Sequence, residues 1–197
     1  MKTILITGFD PFGGETVNPS WEAVKALPAQ IDDIAVHKLQ IPTVFGKASQ
    51  TVLEYAKRIQ PDCILCIGQA GGRNGITPER VAINLRDASI CDNEGNRPID
   101  TPIAENGKNA YFATVPVKKL VDALKEQQIP ATLSYSAGTF VCNDTFYTLL
   151  QAFEGTDTRV GFIHVPFLPA QAKNGQPSVE LSEIIRALTV CCRVSLL

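Results

Sequence analysis

Short runs of apolar and β-branched residues recur along the chain, separated by stretches with the spacing of amphipathic helices. Such runs, bounded by glycine, proline or polar residues, predict β-strands. The predicted strands are Thr3–Thr7, Ile34–Gln40, Asp62–Ile67, Thr132–Ser136 and Val160–Val165, with Val81–Leu85 as a sixth candidate. The first, third and fifth are almost entirely apolar, which is typical of strands buried on both faces of a parallel sheet.

The intervening stretches predict five helices, which are Trp21–Leu27, Lys47–Gln60, Val117–Gln128, Phe146–Phe153 and Val179–Leu188. Strands and helices thus alternate broadly along the chain. This order predicts an α/β fold, a three-layer α/β/α sandwich around a mostly parallel, twisted sheet. In such folds the functional site lies at the carboxyl ends of the strands.

Length and composition favour one globular domain over residues 1–197. With 45% apolar and 19% charged residues, the chain has enough apolar surface for a core and too little charge for a disordered tail. The net charge of −2 is scattered evenly, which argues against nucleic acid or an anionic membrane as a partner. A small molecule or a peptide is the favoured substrate class.

Cysteine usage and the first residues bear on the compartment. The six cysteines are unevenly spaced, as expected for free thiols in a reducing cytoplasm and not for a secreted disulfide scaffold. The opening MKTILITG lacks the length and cleavage region of a secretory signal. No stretch approaches the roughly 18 consecutive apolar residues that span a bilayer. We therefore expect a soluble, cytoplasmic protein.

A glycine-containing loop directly follows the first predicted strand. It reads GFDPFGG from Gly8 to Gly14, and it lacks the glycine spacing of a dinucleotide-binding loop. Phe9 and Phe12 make it apolar and rigid. These two rings either line an apolar slot or cap the core.

A second glycine-rich loop, from Gly68 to Gly75, follows the third predicted strand. It permits close approach of a ligand to the backbone, but no lysine follows to complete a phosphate-binding motif. Just beyond it, Glu79 is either a functional carboxylate or an ion-pair partner of Arg73 or Arg80. The long polar stretch Asp87–Gly107 is an irregular excursion, either functional or a surface insertion.

Cys142 has a setting that none of the other five cysteines shares. The predicted strand Thr132–Ser136 leads through a glycine turn into a helix, so Cys142 falls in or near its first turn. The free N–H groups and the helix dipole there are expected to lower the pKa of its thiol. Cys142 is thus either a nucleophile or a core thiol. Cys63 and Cys66 point to opposite faces of a strand and are expected in the core.

The scarcity of histidine narrows the choice of a catalytic base to His37 and His164. His164 lies at the carboxyl end of an apolar strand, where it either serves the cysteine as acid and base or is a core histidine. His37 lies among polar residues on a half-solvated strand. Asp10 and Asp144 are alternative carboxylates, although Asp144 better suits a helix cap. Histidine and cysteine spacings predict no metal site.

Two long motifs resemble the signatures of the pyroglutamyl peptidase type I family, also called the pyrrolidone-carboxylate peptidases. GQAGGRNGITPERVAIN, residues 68–84, is similar to the family's glutamate signature, and SYSAGTFVCN, residues 134–143, to its cysteine signature. TGFDPFGG (7–14), DNEG (92–95) and GFIHVPF (161–167) also resemble this family, so the similarity covers nearly the whole chain.

The resemblance implies a cysteine exopeptidase that removes an N-terminal pyroglutamyl residue from peptides and proteins through a thioester acyl-enzyme. It implies Cys142 as nucleophile, His164 as acid and base, and Glu79 as the group that orients the histidine. It also implies a cytosolic homotetramer that needs no cofactor.

The substrate group itself suggests which residues bind it. Pyroglutamate is a neutral lactam without a free amine, so an apolar slot with a few hydrogen-bonding groups suits its ring. The expected slot residues are Phe9, Phe12, Phe140 and Val141. Gln69 or the nearby backbone is expected to recognise the lactam, and the Cys142 N–H to donate to the oxyanion.

The chain departs from the family pattern in two regions. Ser89 and Cys91 stand where the family usually has arginine and proline, and the C-terminal stretch is short and apolar for a final helix. We expect Cys191 or Cys192 to lie near a subunit interface. Two other functions remain open, a nucleoside-phosphorylase-like enzyme on a similar sheet and a binding module without catalysis, because a fold does not determine a function.

Overall fold

The computed structural model describes residues 1–197 and contains eight strands, which are β1 (Lys2–Phe9), β2 (Gln30–Ile31), β3 (Ile34–Ile41), β4 (Cys63–Gln69), β5 (Thr77–Pro78), β6 (Val81–Ile83), β7 (Ala110–Phe112) and β8 (Arg159–Val165). Six of them form one sheet in the order β2-β3-β1-β4-β8-β5. The four central strands are parallel, whereas the short edge strands β2 and β5 are antiparallel to their neighbours. This sheet confirms the predicted fold class.

Helices form the two outer layers, and they are α1 (Pro19–Ala26), α2 (Lys47–Ile59), α3 (Val117–Glu126), α4 (Val141–Ala152) and α5 (Leu181–Ser195). In one layer α1 and α3 both pack on α5, and in the other α2 packs on α4. The apolar faces of both layers and the central strands belong to one continuous core. The apolar runs of β1, β4 and β8 are buried because both faces of the sheet are covered.

The predicted strand Thr132–Ser136 is wrong as a regular strand. This segment runs parallel to residues 76–80 and makes only two isolated bridges, Ile76 with Ala131 and Glu79 with Ser134. Backbone bonds from Thr132 to Ile76 and from Ser134 to Pro78 continue the pairing. Pro78 has no N–H to donate, so the ladder is interrupted between the two bridges.

Two helices differ from their predicted bounds by more than two residues at one end. The predicted helix Phe146–Phe153 begins five positions earlier, at Val141, because tertiary bonds satisfy the polar residues of its first turn. The final helix begins later than predicted and continues past Leu188 to Ser195. The side chains of Cys191 and Cys192 have no exposed surface and lie in the core of the single chain, which explains the apolar C-terminal sequence.

The stretch from Asp87 to Gly107 has little regular structure but is anchored. The buried Asp92 carboxylate accepts bonds from the backbone N–H groups of Glu94 and Asn96. Ser89 and Cys91, the two departures from the family pattern, are both exposed. Nowhere in the structure is a helix both long enough and apolar enough to traverse a membrane.

Candidate active site

The carboxyl ends of β4 and β8 bring together the cysteine and the histidine that the sequence singled out. Gly68 on β4 is the register partner of His164 on β8, and paired residues of neighbouring parallel strands face the same side of a sheet. A Cβ placed on Gly68 would lie 3.0 Å from the Sγ atom of Cys142. The thiol and the imidazole therefore share one face of the sheet at its carboxyl edge.

Glu79 is the third polar residue of the site and contacts the His164 side chain. Its Oε1 atom lies 2.7 Å from Nδ1 of His164, and Arg73 Nη1 donates to the same oxygen over 2.7 Å. The backbone N–H of Glu79 donates to the carbonyl of Phe162 on β8, which holds the carboxylate beside the histidine strand. Glu79 has no exposed surface, and His164 is only 4% exposed.

The protonation states of this pair follow from burial and their mutual contact. Burial lowers the pKa of His164, although the bond to Glu79 offsets part of the effect. Burial acts to raise the pKa of Glu79, but the bonds from His164 and Arg73 outweigh it and the net pKa lies below its usual value. At neutral pH a carboxylate therefore faces a neutral imidazole. Because Nδ1–H donates to Glu79, Nε2 is the free proton acceptor.

Cys142 is the second residue of α4, which confirms that it lies in or near a first helical turn although the segment before it is not a regular strand. Its side chain is half-buried. Burial and the negative charge of Glu79 raise the pKa of the Cys142 thiol to about 12. This is opposite to the lowering expected from the helix N-terminus, because a charged sulfur would lose more hydration than the first-turn N–H groups and Arg73 return. The resting thiol is protonated, so its attack requires a base.

Comparison with known proteins identifies the family. A sequence profile described as pyroglutamyl peptidase matches residues 2–196. The chain is 52% identical over 200 residues to a pyrrolidone-carboxylate peptidase of Bacillus cereus (strain AH820), covering 99% of this chain and 93% of the relative. The chain belongs to the pyroglutamyl peptidase family.

Solved structures of this family have the same fold. The crystal structure of Bacillus amyloliquefaciens pyroglutamyl peptidase I superposes with a TM-score of 0.96 at 48% identity, over 100% of this chain and 97% of that one. The pyrrolidone carboxyl peptidase from Thermococcus litoralis gives a TM-score of 0.95 at 39% identity, over 100% and 94% of the two chains. The family assignment and the predicted three-layer fold therefore agree.

The four slot residues expected for the pyroglutamyl peptidase separate into two groups. Phe9 is 2% exposed and packs its ring 6.2 Å from that of Phe162, so it lies in the core beneath the site. Val141 is also fully buried. Phe12 and Phe140 are half-buried, with ring centroids 6.0 Å apart. Only these last two present aromatic surface outward, at the start of the helix that carries Cys142.

Gln69 ends β4, one residue beyond Gly68, and is half-buried. Its Oε1 atom accepts a bond of 3.1 Å from Nε2 of Gln171. Gln171 is itself buried and tied to the backbone N–H of Leu168. This contact fixes the orientation of the Gln69 amide and leaves its own NH₂ group available to a ligand.

Sequence reasoning missed Asn143, which lies next to the nucleophile candidate inside the cysteine signature. Its Oδ1 accepts from the backbone N–H of Ile83, and its Nδ2 donates to the carbonyls of Ile83 and Leu85. These bonds fasten the first turn of α4 to β6. The sequence did contain a signal, because an asparagine directly follows the candidate nucleophile. Asparagine is a weak helix former, so its presence in a first helical turn indicates that its amide has a specific hydrogen-bonding role.

None of the other candidate residues belongs to the group formed by Cys142, His164 and Glu79. Asp144 does not cap α4, because its carboxylate is buried and binds Arg86 and the N–H of Gly46. Asp10 accepts from the backbone N–H of Thr43. His37, on β3, packs edge-on against Tyr55 of α2. No group of three or more histidine, cysteine or acidic side chains is arranged to hold a metal ion.

We expect Gly68→Ala to impair catalysis without preventing folding. The added Cβ would meet the Phe162 ring at 2.8 Å and Cys142 Sγ at 3.0 Å, so the ring or the thiol must move. Because misplacement of a reacting group by less than 1 Å is costly, kcat/KM should fall about 10- to 100-fold. Steady-state hydrolysis of a fluorogenic pyroglutamyl amide measures the change.

Gly161→Ala is the matched control, since its Cβ would meet Val115 at 2.5 Å, in the core and away from the thiol. Both variants should lose stability in urea titrations, but only Gly68→Ala should lose activity per folded molecule. Equal activities for the two folded variants would contradict the placement of the thiol against Gly68.

Proposed function

We propose that this protein is a cysteine exopeptidase that removes N-terminal pyroglutamate from peptides, with Cys142 as nucleophile, His164 as acid and base, and Glu79 as the orienting carboxylate. The observation that carries the proposal is the 2.7 Å contact between His164 and Glu79, with Cys142 Sγ against the register partner of His164. Membership of the pyroglutamyl peptidase family supports the substrate class. No step of the proposed reaction requires a cofactor.

The first half of the reaction forms the acyl-enzyme. His164 Nε2 takes the thiol proton as Cys142 Sγ attacks the pyroglutamyl carbonyl carbon, and the carbonyl oxygen becomes an oxyanion. The N–H of Cys142, in the first turn of α4, is a candidate donor to that oxygen. As the C–N bond breaks, the protonated His164 gives its proton to the leaving amine, and a thioester remains.

Hydrolysis then returns the enzyme to its starting state. His164 Nε2 takes a proton from water, and the hydroxide oxygen attacks the thioester carbonyl. The C–S bond breaks, the proton passes to the sulfur, and free pyroglutamate leaves. The Glu79 carboxylate stabilises the imidazolium in both halves, because it accepts from Nδ1 throughout.

The neutral ring explains why the substrate side of the site is apolar. Phe12 and Phe140 offer aromatic surface beside the nucleophile, and the free NH₂ of Gln69 suits the lactam carbonyl. Phe9 and Val141 support this surface from the core. Burial of an uncharged ring on such surfaces needs no compensating charge.

A pair of fluorogenic amides tests the proposed function. L-Pyroglutamyl-7-amido-4-methylcoumarin should be hydrolysed, whereas the L-prolyl amide should be cleaved at least about 100-fold more slowly. The prolyl group is also a five-membered ring, but it has a methylene in place of the lactam carbonyl. Its ring nitrogen is therefore a charged secondary amine, which an apolar slot disfavours. Equal rates on the two amides, or none on the first, would refute the proposal.

The pH profile has a predicted sign. The reaction needs neutral His164, whose pKa burial lowers from its usual 6.5, so the acidic limb of kcat/KM should have its midpoint below pH 6.5. Alkylation of Cys142 by iodoacetamide should instead keep rising above pH 8, because the thiol pKa is raised. An alkylation rate that is flat from pH 5 to pH 8 would indicate a preformed thiolate–imidazolium pair.

Assembly and location follow from the family resemblance as proposals. We infer a homotetramer, which light scattering coupled to size-exclusion chromatography tests. A cytoplasmic location suits six free thiols, of which Cys91 is exposed.

A further inference from the structure

The loop of residues 43–46, between β3 and α2, is held by carboxylates from three distant parts of the chain. The backbone N–H of Thr43 donates to Asp10 over 2.7 Å, that of Phe45 to Asp92 over 3.0 Å, and that of Gly46 to Asp144 over 2.8 Å. A surface loop ordinarily leaves such N–H groups to water. Three charge-assisted bonds fix this one.

The fixed loop presents Phe45 to the substrate side of the site. The Phe45 ring packs edge-on against Phe140 with centroids 5.3 Å apart, and Phe140 in turn packs against Phe12. Phe45 therefore extends the aromatic surface that begins two residues before Cys142. Phe45 also borders an open cavity of about 450 Å³, together with Arg86 and Arg97. Phe45 is thus shared by the apolar surface and this polar cavity, whose lining does not include Phe140.

One carboxylate links the nucleophile helix to this loop. Asp144 is fully buried in the first turn of α4, two residues after Cys142. Its Oδ1 accepts from Arg86 over 2.6 Å, and its Oδ2 accepts from the N–H of Gly46. Arg86 also lies over the Phe45 ring, with its guanidinium carbon 6.0 Å from the centroid. The Arg86–Asp144 ion pair thus contacts the loop twice, through Asp144 at Gly46 and through Arg86 at Phe45.

We propose that the Arg86–Asp144 pair is a positioning device that holds Phe45 against Phe140, and that Phe45 is a further specificity-determining wall of the slot for the pyroglutamyl ring. This inference rests on the proposed function. Without Phe45 the slot would open into the polar cavity, and the bound ring would remain partly hydrated. Without the charge of Asp144 the loop would lose its charge-assisted bond to α4, and Phe45 would be less well ordered.

Three variants test this proposal, which are Phe45→Ala, Asp144→Asn and the double variant. Each single change should raise KM for the pyroglutamyl coumarin amide about tenfold and change kcat less than about threefold. The inhibition constant of 2-pyrrolidone, the unsubstituted ring, should rise in parallel. The double variant should have the KM of Phe45→Ala alone, because Asp144 acts through that ring.

Iodoacetamide alkylation separates this role from an effect on the thiol. Asp144 lies one helical half-turn from Cys142, so loss of its charge would change the alkylation rate if it acted on the sulfur directly. We expect the rate for Asp144→Asn to equal that of the wild type. An altered rate with unchanged KM would overturn the positioning role, and additive effects in the double variant would overturn action through Phe45.

Two further variants, Arg193→Gln and Arg86→Lys, serve as controls for these measurements. Arg193→Gln breaks the exposed ion pair with Asp32, which has similar geometry on a remote surface, and should leave KM and kcat unchanged. If Asp144→Asn fails to fold, Arg86→Lys keeps the bond between Asp144 and Gly46 and decides the question by the same KM and inhibition measurements. An unchanged KM for Phe45→Ala overturns the wall itself. An inactive wild type would instead refute the proposed function.

Discussion

Cys142→Ser should lower kcat/KM for the pyroglutamyl coumarin amide by about 10⁴-fold or more. A serine hydroxyl is far less acidic than a thiol, and burial lowers the pKa of His164, the proposed base. The imidazole is therefore too weak a base to activate the hydroxyl in the time of one turnover. The variant should still fold, since it replaces sulfur by oxygen at a half-buried position.

Cys91→Ser is the matched control, because Cys91 is the exposed cysteine of the chain and lies in the segment after β6. It should retain wild-type activity. Rapid quenching of the wild-type enzyme in acid should also trap a species heavier by one pyroglutamyl group, which Cys142→Ser should not accumulate. Full activity in Cys142→Ser, or total loss in Cys91→Ser, would show that the nucleophile is misassigned.

Glu79→Gln should lower kcat about 10²- to 10⁴-fold with a much smaller change in KM. The glutamine amide can donate to Nδ1 of His164, which would place the ring proton on Nε2, facing the thiol. In that tautomer the imidazole cannot accept the thiol proton. The change also leaves the Arg73 guanidinium beside an uncharged amide, so the site loses its compensating negative charge.

The pH profile of the residual activity distinguishes this role from a structural one. Glu79 raises the pKa of His164, so its removal should move the acidic limb of kcat/KM to still lower pH. Glu183→Gln is the control, because Glu183 pairs with Arg186 on the exposed side of α5. Loss of activity with an unmoved acidic limb would count against contact between Glu79 and the catalytic imidazole.

Several elements were predictable because their signals are local. The central strands follow from apolar runs long enough to be buried on both faces, and the glycine turn before Cys142 predicted that it lies in or near a first helical turn. Only two histidines exist, so the sequence narrowed the candidate base to His37 and His164. The motifs around Glu79 and Cys142 indicated the family, since each is long and their order is preserved.

Other features depend on residues that are distant in the chain. The segment Thr132–Ser136 fails to form a strand because its neighbour in space contains Pro78, 54 residues before Thr132 in the sequence numbering. The start of α4 at Val141 depends on bonds from Asn143 to β6 and from Asp144 to Arg86. No pattern in the sequence around Asn143 and Asp144 indicates where their partners, β6 and Arg86, lie.

The sequence by itself determined the alternation of strands and helices and, through its long motifs, the family, because these depend on residue type and short-range order. It left Cys142, His164 and Glu79 each with a structural alternative, and their proposed roles came from the family resemblance. Only the tertiary structure decided the protonation of those residues. Enclosure of Cys142 and its nearness to Glu79 raise the thiol pKa, against the local effect of the helix N-terminus. It likewise decided that Phe45, with no motif of its own, lies against Phe140, since that contact is set by three carboxylates from separate parts of the chain.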